Sequence, residues 1–221
     1  MEGLEAYPKI ESILNGDGQN IREQMMLSGL FLMVFERLKD YVEHQVDSFF
    51  ADDFYLVDGK LAYKRAKEFH DLIKNNGQGE PGQHTNKVFR AALAWFKEVN
   101  AISKENFDDI ERLYDLRNKI GHELYLIVAD DQKPCITVAD VLLTFGLYVQ
   151  ISRWWIKEVE VSTNPDITPE MFEAADFDTA DTLETALLRL IITKSLAGVH
   201  EYESLMELVQ NYKPPDPVPN G

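Results

Sequence analysis

The stretch QNIREQMMLSGLFLMVFERLKDYVEHQVDSFF, residues 19–50, decides the fold. Ile21, Met25, Leu32, Phe35 and Val42 recur at helical spacing. Arg22, Glu23, Glu36, Arg37 and Lys39 fall between them. Residues 27–35 are nearly continuous apolar, so this helix has more than one face to bury and belongs at the centre of a bundle.

Working outward, the rest of the chain supplies helices to cover it. Residues 1–18 are weakly patterned and end in the turn signal Asn15-Gly16-Asp17-Gly18. After the central helix, Asp58-Gly59 separates Phe54-Tyr55-Leu56-Val57 from Lys60-Leu61-Ala62-Tyr63, which predicts a β-hairpin over 54–63. One hairpin is marginal alone and should lean on the helices as an insertion. Helical patterns follow over 64–75, 85–99 and 104 to about 121, the last opened by Ser103 as N-cap. Thr137 and Asp140 form a capping-box pattern before a helix from 138 to about 159. Thr168-Pro169 marks another start, and further helices read at 181–196 and 202–209. Residues 213–221 hold four prolines and read as a disordered tail. The expected fold is therefore all-α: a helical bundle over 19–160 with the hairpin inserted, a helical extension over 161–212 packed on it, and the segments 1–18 and 213–221 outside.

Charge and composition narrow the function. Lys and Arg number 22 against 38 Asp and Glu, a net charge of −16. That argues against a general nucleic-acid coat, which needs a long positive surface, but leaves room for a local basic cleft. The single cysteine, Cys135, excludes an internal disulfide and a multi-cysteine zinc site. The start is acidic and lacks the pattern of a signal peptide, and no apolar run approaches the roughly 20 residues of a membrane span. These features predict a soluble cytoplasmic protein. His44, His70, His84 and His200 are scattered without metal-ligand spacing, so neither metal nor cofactor is expected.

The chemistry concentrates in the helix over 104–122. Phe107, Ile110, Leu113, Tyr114, Leu116, Ile120 and Gly121 make one apolar stripe, with Arg117 in its middle. A guanidinium so placed should be held by an acid, or should face a cleft or a partner chain. A polar ridge of Glu111, Asp115, Asn118 and His122 runs beside the stripe. Asn118 and His122 are i,i+4 and share a face, whereas Arg117 and His122 lie about 140° apart on a regular helix. Gly121 can loosen the helix end.

The run Leu116-Arg117-Asn118-Lys119-Ile120-Gly121-His122-Glu123-Leu124 resembles the signature of the HEPN superfamily, the higher eukaryotes and prokaryotes nucleotide-binding domains. Its pattern is an arginine, usually a polar residue next, and a histidine after a gap of four to six residues. The resemblance implies a helical bundle that dimerises through the 117–122 region and cleaves RNA without metal, often as a toxin or antiviral effector. It makes Arg117, Asn118 and His122 the expected catalytic residues. Lys119 and Arg112 are the neighbouring cations expected to bind substrate phosphate. A neutralising antitoxin or regulatory partner goes with such a role, and a membrane does not. Arg65-Ala66-Lys67-Glu68-Phe69-His70 has the same spacing but no polar residue after its arginine, so it serves as an internal control. The alternative reading is a non-catalytic helical interaction or regulatory module, which the acidic charge favours.

Overall fold

A computed structural model describes residues 18–57, 60–78, 86–129, 136–199 and 202–203, and its architecture is an all-α bundle with one small antiparallel hairpin. The elements in chain order are α1 (Gln19–Phe49), β1 (Ala51–Val57), β2 (Lys60–Arg65), α2 (Lys67–Asn76), α3 (Lys87–Glu98) and α4 (Lys104–Ala129). These are followed by α5 (Val138–Trp155), a π-helical turn (Ile156–Val161), α6 (Pro169–Ala174) and α7 (Leu183–Leu196). The segments 1–17, 79–85, 130–135 and 204–221 lie outside the described residues, as do the expected turn residues Asp58-Gly59 and most of the helix read at 202–209.

Helix α1 is the axis of the bundle. Leu27, Leu30, Phe31, Val34, Phe35, Leu38, Val42 and Val46 are all buried, and α3, α4, α5 and α7 all pack against it. Phe35 meets Phe31, Phe89 and Tyr114 at ring distances of 5.9, 6.1 and 6.1 Å. At the other end, Trp95, Phe96, Trp154 and Trp155 form a second aromatic nest. Trp155 is buried and Trp154 half-buried, its ring edge-on to Trp95 and Phe96, so packing accounts for both. Leu188, Ile192 and Leu196 of α7 enter the same core. Glu184 fastens that helix further, forming an ion pair with Arg37 and a hydrogen bond with Tyr148. No helix among the described residues is long and apolar enough to cross a membrane.

Several boundaries differ from the sequence reading, each for a local reason. The strands extend to 51–57 and 60–65, because the ladder continues past the aromatic runs to Ala51 opposite Arg65. Helix α2 consequently starts at Lys67. The hairpin is tied to the bundle at its base, where Ala66 N donates to Phe50 O and Arg65 grips Asp47 of α1. Its tip stands away: Leu56 is 72% exposed. Helix α3 is capped by Asn86, whose Oδ1 accepts from Val88 and Phe89. Helix α4 does not stop near residue 121 but kinks at Glu123 (φ −126°, ψ 18°) and continues to Ala129. Ser103 caps its start through Asn106 N, and the Thr137–Asp140 capping box and the Thr168 cap before Pro169 are present. Helix α5 leaves α-geometry after Trp155 and finishes as the π-helical turn.

Phe35→Ala should lower unfolding stability by about 3–5 kcal/mol, because the cavity it leaves lies among three other rings. Leu56→Ala at the hairpin tip should change it by less than about 0.5 kcal/mol. Urea titrations of both variants against the parent check this contrast.

Candidate functional site

Two helices, α1 and α4, meet at Arg117. Its Nε lies 2.5 Å from Glu36 Oε1 of α1, and its Nη1 donates to Asn118 Oδ1 at 3.2 Å. Both Arg117 and Glu36 keep 36% of their side-chain surface exposed, so the pair sits at the rim of the α1–α4 contact rather than in the core. An acid therefore holds the guanidinium, one of the outcomes its place in the stripe demands. Glu36 was not singled out by the sequence reading, although its spacing to Asp40, Glu43 and Asp47 marks one acidic ridge along α1.

That ridge is organised by a chain of polar contacts. Lys39 Nζ lies 3.9 Å from both Glu36 Oε2 and Glu43 Oε2. Glu43 Oε1 accepts from Asn86 Nδ2 at 2.6 Å, and Asn86 N donates to Tyr114 Oη at 3.1 Å. The cap of α3, the ridge of α1 and the middle of α4 are thus tied together. Burial pushes the Glu43 carboxyl above the usual carboxylate range, against the pull of Lys39. Burial raises Glu111 likewise, against its ion pair with Arg90.

The expected site residues separate into two groups. Arg117, Asn118 and His122 occupy consecutive turns at the end of the straight part of α4, immediately before the kink at Glu123. His122 is exposed and makes no hydrogen bond or ion pair among the described residues, and the same is true of Lys119. Gly121 is exposed with open space where a Cβ would stand, so nothing from that position shields Arg117 one turn earlier. Arg112 belongs elsewhere. Its Nη1 donates to Asp140 Oδ1 at 3.0 Å, and Asp109 lies 3.7 Å away, so it ties α4 to the capped start of α5. The control pair has a structural explanation too. Arg65 donates to both Asp47 oxygens at 2.6 and 3.1 Å and lies 5.0 Å from the Phe69 ring centre, while His70 points into solvent. Among the described residues no group of three or more His, Cys, Asp or Glu is placed to hold a metal ion.

Arranged this way, the stretch of α4 before its kink offers an exposed imidazole, an amide and a guanidinium whose orientation is fixed from α1. Comparison with family models, with curated proteins and with solved structures gives no match.

Glu43 gives a pH test of the ridge. Its folded carboxyl holds a proton more tightly than the unfolded one, so this group's contribution to stability rises as pH falls through that window and is lost as pH rises. Glu43→Gln keeps an acceptor for Asn86 and removes the buried charge. It should melt above the parent at pH 7, with the difference vanishing below about pH 4, where the unfolded carboxyl is protonated as well. Thermal scans across that range decide it.

Proposed function

We propose that the chain is a metal-independent endoribonuclease of the HEPN type, acting in the cytoplasm as a toxin or antiviral effector. The observation that carries this reading is the exposed His122 at the kink of a helix that also presents Asn118 and an acid-oriented Arg117.

RNA supplies its own nucleophile. A 2′-OH beside the phosphorus needs only a base, a proton for the leaving 5′-oxygen and stabilisation of the growing phosphoryl charge. His122 takes or gives the proton. Arg117 meets the phosphate through guanidinium N–H donors. Glu36 keeps that guanidinium in register, and Asn118 positions phosphate or imidazole. Two copies of the 117–122 region facing across a two-fold axis would bring two imidazoles together, one as base and one as acid. Lys119, exposed beside the site, adds local attraction for phosphate in an otherwise acidic chain.

A second reading, a non-catalytic interaction or regulatory module, has an observation of its own. Glu36 already neutralises Arg117, in a chain of net charge −16.

The deciding experiment incubates purified protein with mixed RNA in EDTA. The ribonuclease reading expects cleavage that leaves a 2′,3′-cyclic phosphate, leaves DNA intact and weakens as salt rises. His122→Ala is the cleanest variant, because no contact among the described residues is lost with it, and it should reduce the rate by about 10²–10⁴. Arg117→Ala should also abolish cleavage while releasing Glu36, at about 0.2–1 kcal/mol of stability. Asn118→Ala should fall between, and Arg65→Ala and His70→Ala should cleave as the parent does. Light scattering should report a dimer. A 3′-hydroxyl product, or activity requiring added magnesium, sinks the mechanism; intact RNA with a folded parent favours the second reading.

A further inference from the structure

Near the start of α4, at the far end from His122, the outer face of α5 and the segment leading into α7 border an open cavity of about 550 Å³. Ala101 lines it, which places it roughly 25–30 Å from His122 along the axis of α4. Phe145, Val149, Arg153 and Lys157 recur at four-residue steps with Gly146 beside them, so one face of α5 and its π-helical turn forms the wall. Phe177 and Arg189 close it from the other side.

The charges in this wall are unevenly matched. Arg153 Nη2 donates to Asp181 at 3.2 Å, and Arg189 Nη2 donates to both oxygens of the same carboxylate at 3.1 and 2.8 Å. Arg153 Nε goes to Ala180 O at 2.9 Å. Two guanidinium groups thus share one carboxylate, and Arg153 Nη1 and Arg189 Nη1 find no acceptor among the described residues. Lys157 adds a third cation, paired among the described residues with its exposed neighbour Glu158 at 3.3 Å. Asp178 is the acid in the lining, while Asp176 is turned to Thr179 at 2.7 Å. The remaining wall is largely apolar and aromatic. A half-open cavity of this size, mostly apolar with a few convergent polar donors, has the form of a small-molecule site.

The Arg189 guanidinium lies over the Phe145 ring, 5.2 Å from its centre, which holds it at the wall. We propose that this cavity binds a small organic anion, with its charged group on Arg153 and Arg189 and its apolar body against Val149 and Phe177. The pairing follows from the chemistry: spare guanidinium donors seek an anionic oxygen, and the Phe177 ring seeks an apolar or aromatic surface. Binding here is separate from RNA cleavage at the other end of α4 and is read without it.

The probe is 8-anilinonaphthalene-1-sulfonate, titrated into the full chain by calorimetry and fluorescence. One saturable site is expected. Gly146→Leu should abolish it, because a side chain at this exposed helical position projects into open space and favours the helix. Arg189→Met should weaken it about tenfold or more, in keeping with loss of a charge-assisted hydrogen bond. Leu187→Glu, which alters the separate exposed apolar stripe of α7, should leave it unchanged. Uncharged N-phenyl-1-naphthylamine should bind much more weakly. The proposal is overturned if the probe does not bind, if both Gly146→Leu and Arg189→Met bind it as the parent does, if Leu187→Glu removes the site, or if the uncharged probe binds equally well.

Discussion

A 31-residue helix with apolar side chains around most of its circumference can be kept from water only by neighbours on several sides. That constraint on α1 organises the molecule. Helices α3, α4, α5 and α7 each supply part of the cover, and the narrow strip left over is where the acids at 36, 40, 43 and 47 emerge. The polar contacts around Arg117 are a by-product of this arrangement. Helix α4 crosses α1 at the boundary between its buried face and its acidic ridge, so a cation on α4 at that level meets a carboxylate.

What could be read from the sequence was what depends on neighbours in sequence. The capping box at Thr137, the Thr168-Pro169 start, the Asp58-Gly59 hairpin and the centrality of α1 are all decided within a few residues. The failures are equally local in cause. Gly121 followed by His122 reads as a helix end, yet one non-helical residue at Glu123 lets the chain turn and resume. A strand boundary placed by the aromatic runs missed residues 51 and 65, because their pairing depends on the opposite strand. The partner of Arg117 lies 81 positions away, and the sharing of Asp181 by Arg153 and Arg189 joins α5 to the entry of α7. Such pairings are set by packing, and no spacing rule announces them. The demand that something hold Arg117 was legible; Glu36 was not.

The strong negative charge has a structural counterpart in how cations are used. Arg37, Arg65, Arg90, Arg112 and Arg117 each bridge one element to an acid on another. The arginines act as fasteners between helices, which lets the chain carry an excess of acids without losing those contacts. It also means that an arginine in a suggestive spacing is not by itself a sign of chemistry: Arg65 and Arg117 are both held by acids of α1. Each is followed at the same spacing by an exposed histidine, so what distinguishes the second is its company: Asn118 beside it and an uncovered glycine at 121.

The central helix is also the first described element of the chain, and this has a consequence for synthesis. Gln24 near its start bonds to Ile136 O, a partner 112 positions later, and α5, its most extensive neighbour, begins only at Val138. At roughly 5–20 residues per second, α1 waits on the order of ten seconds outside the ribosome before that cover exists. During this interval the apolar run of 27–35 is among the most exposed surface the chain will ever have. Chaperone capture of nascent chains should therefore concentrate on the segment that ends up deepest in the folded bundle.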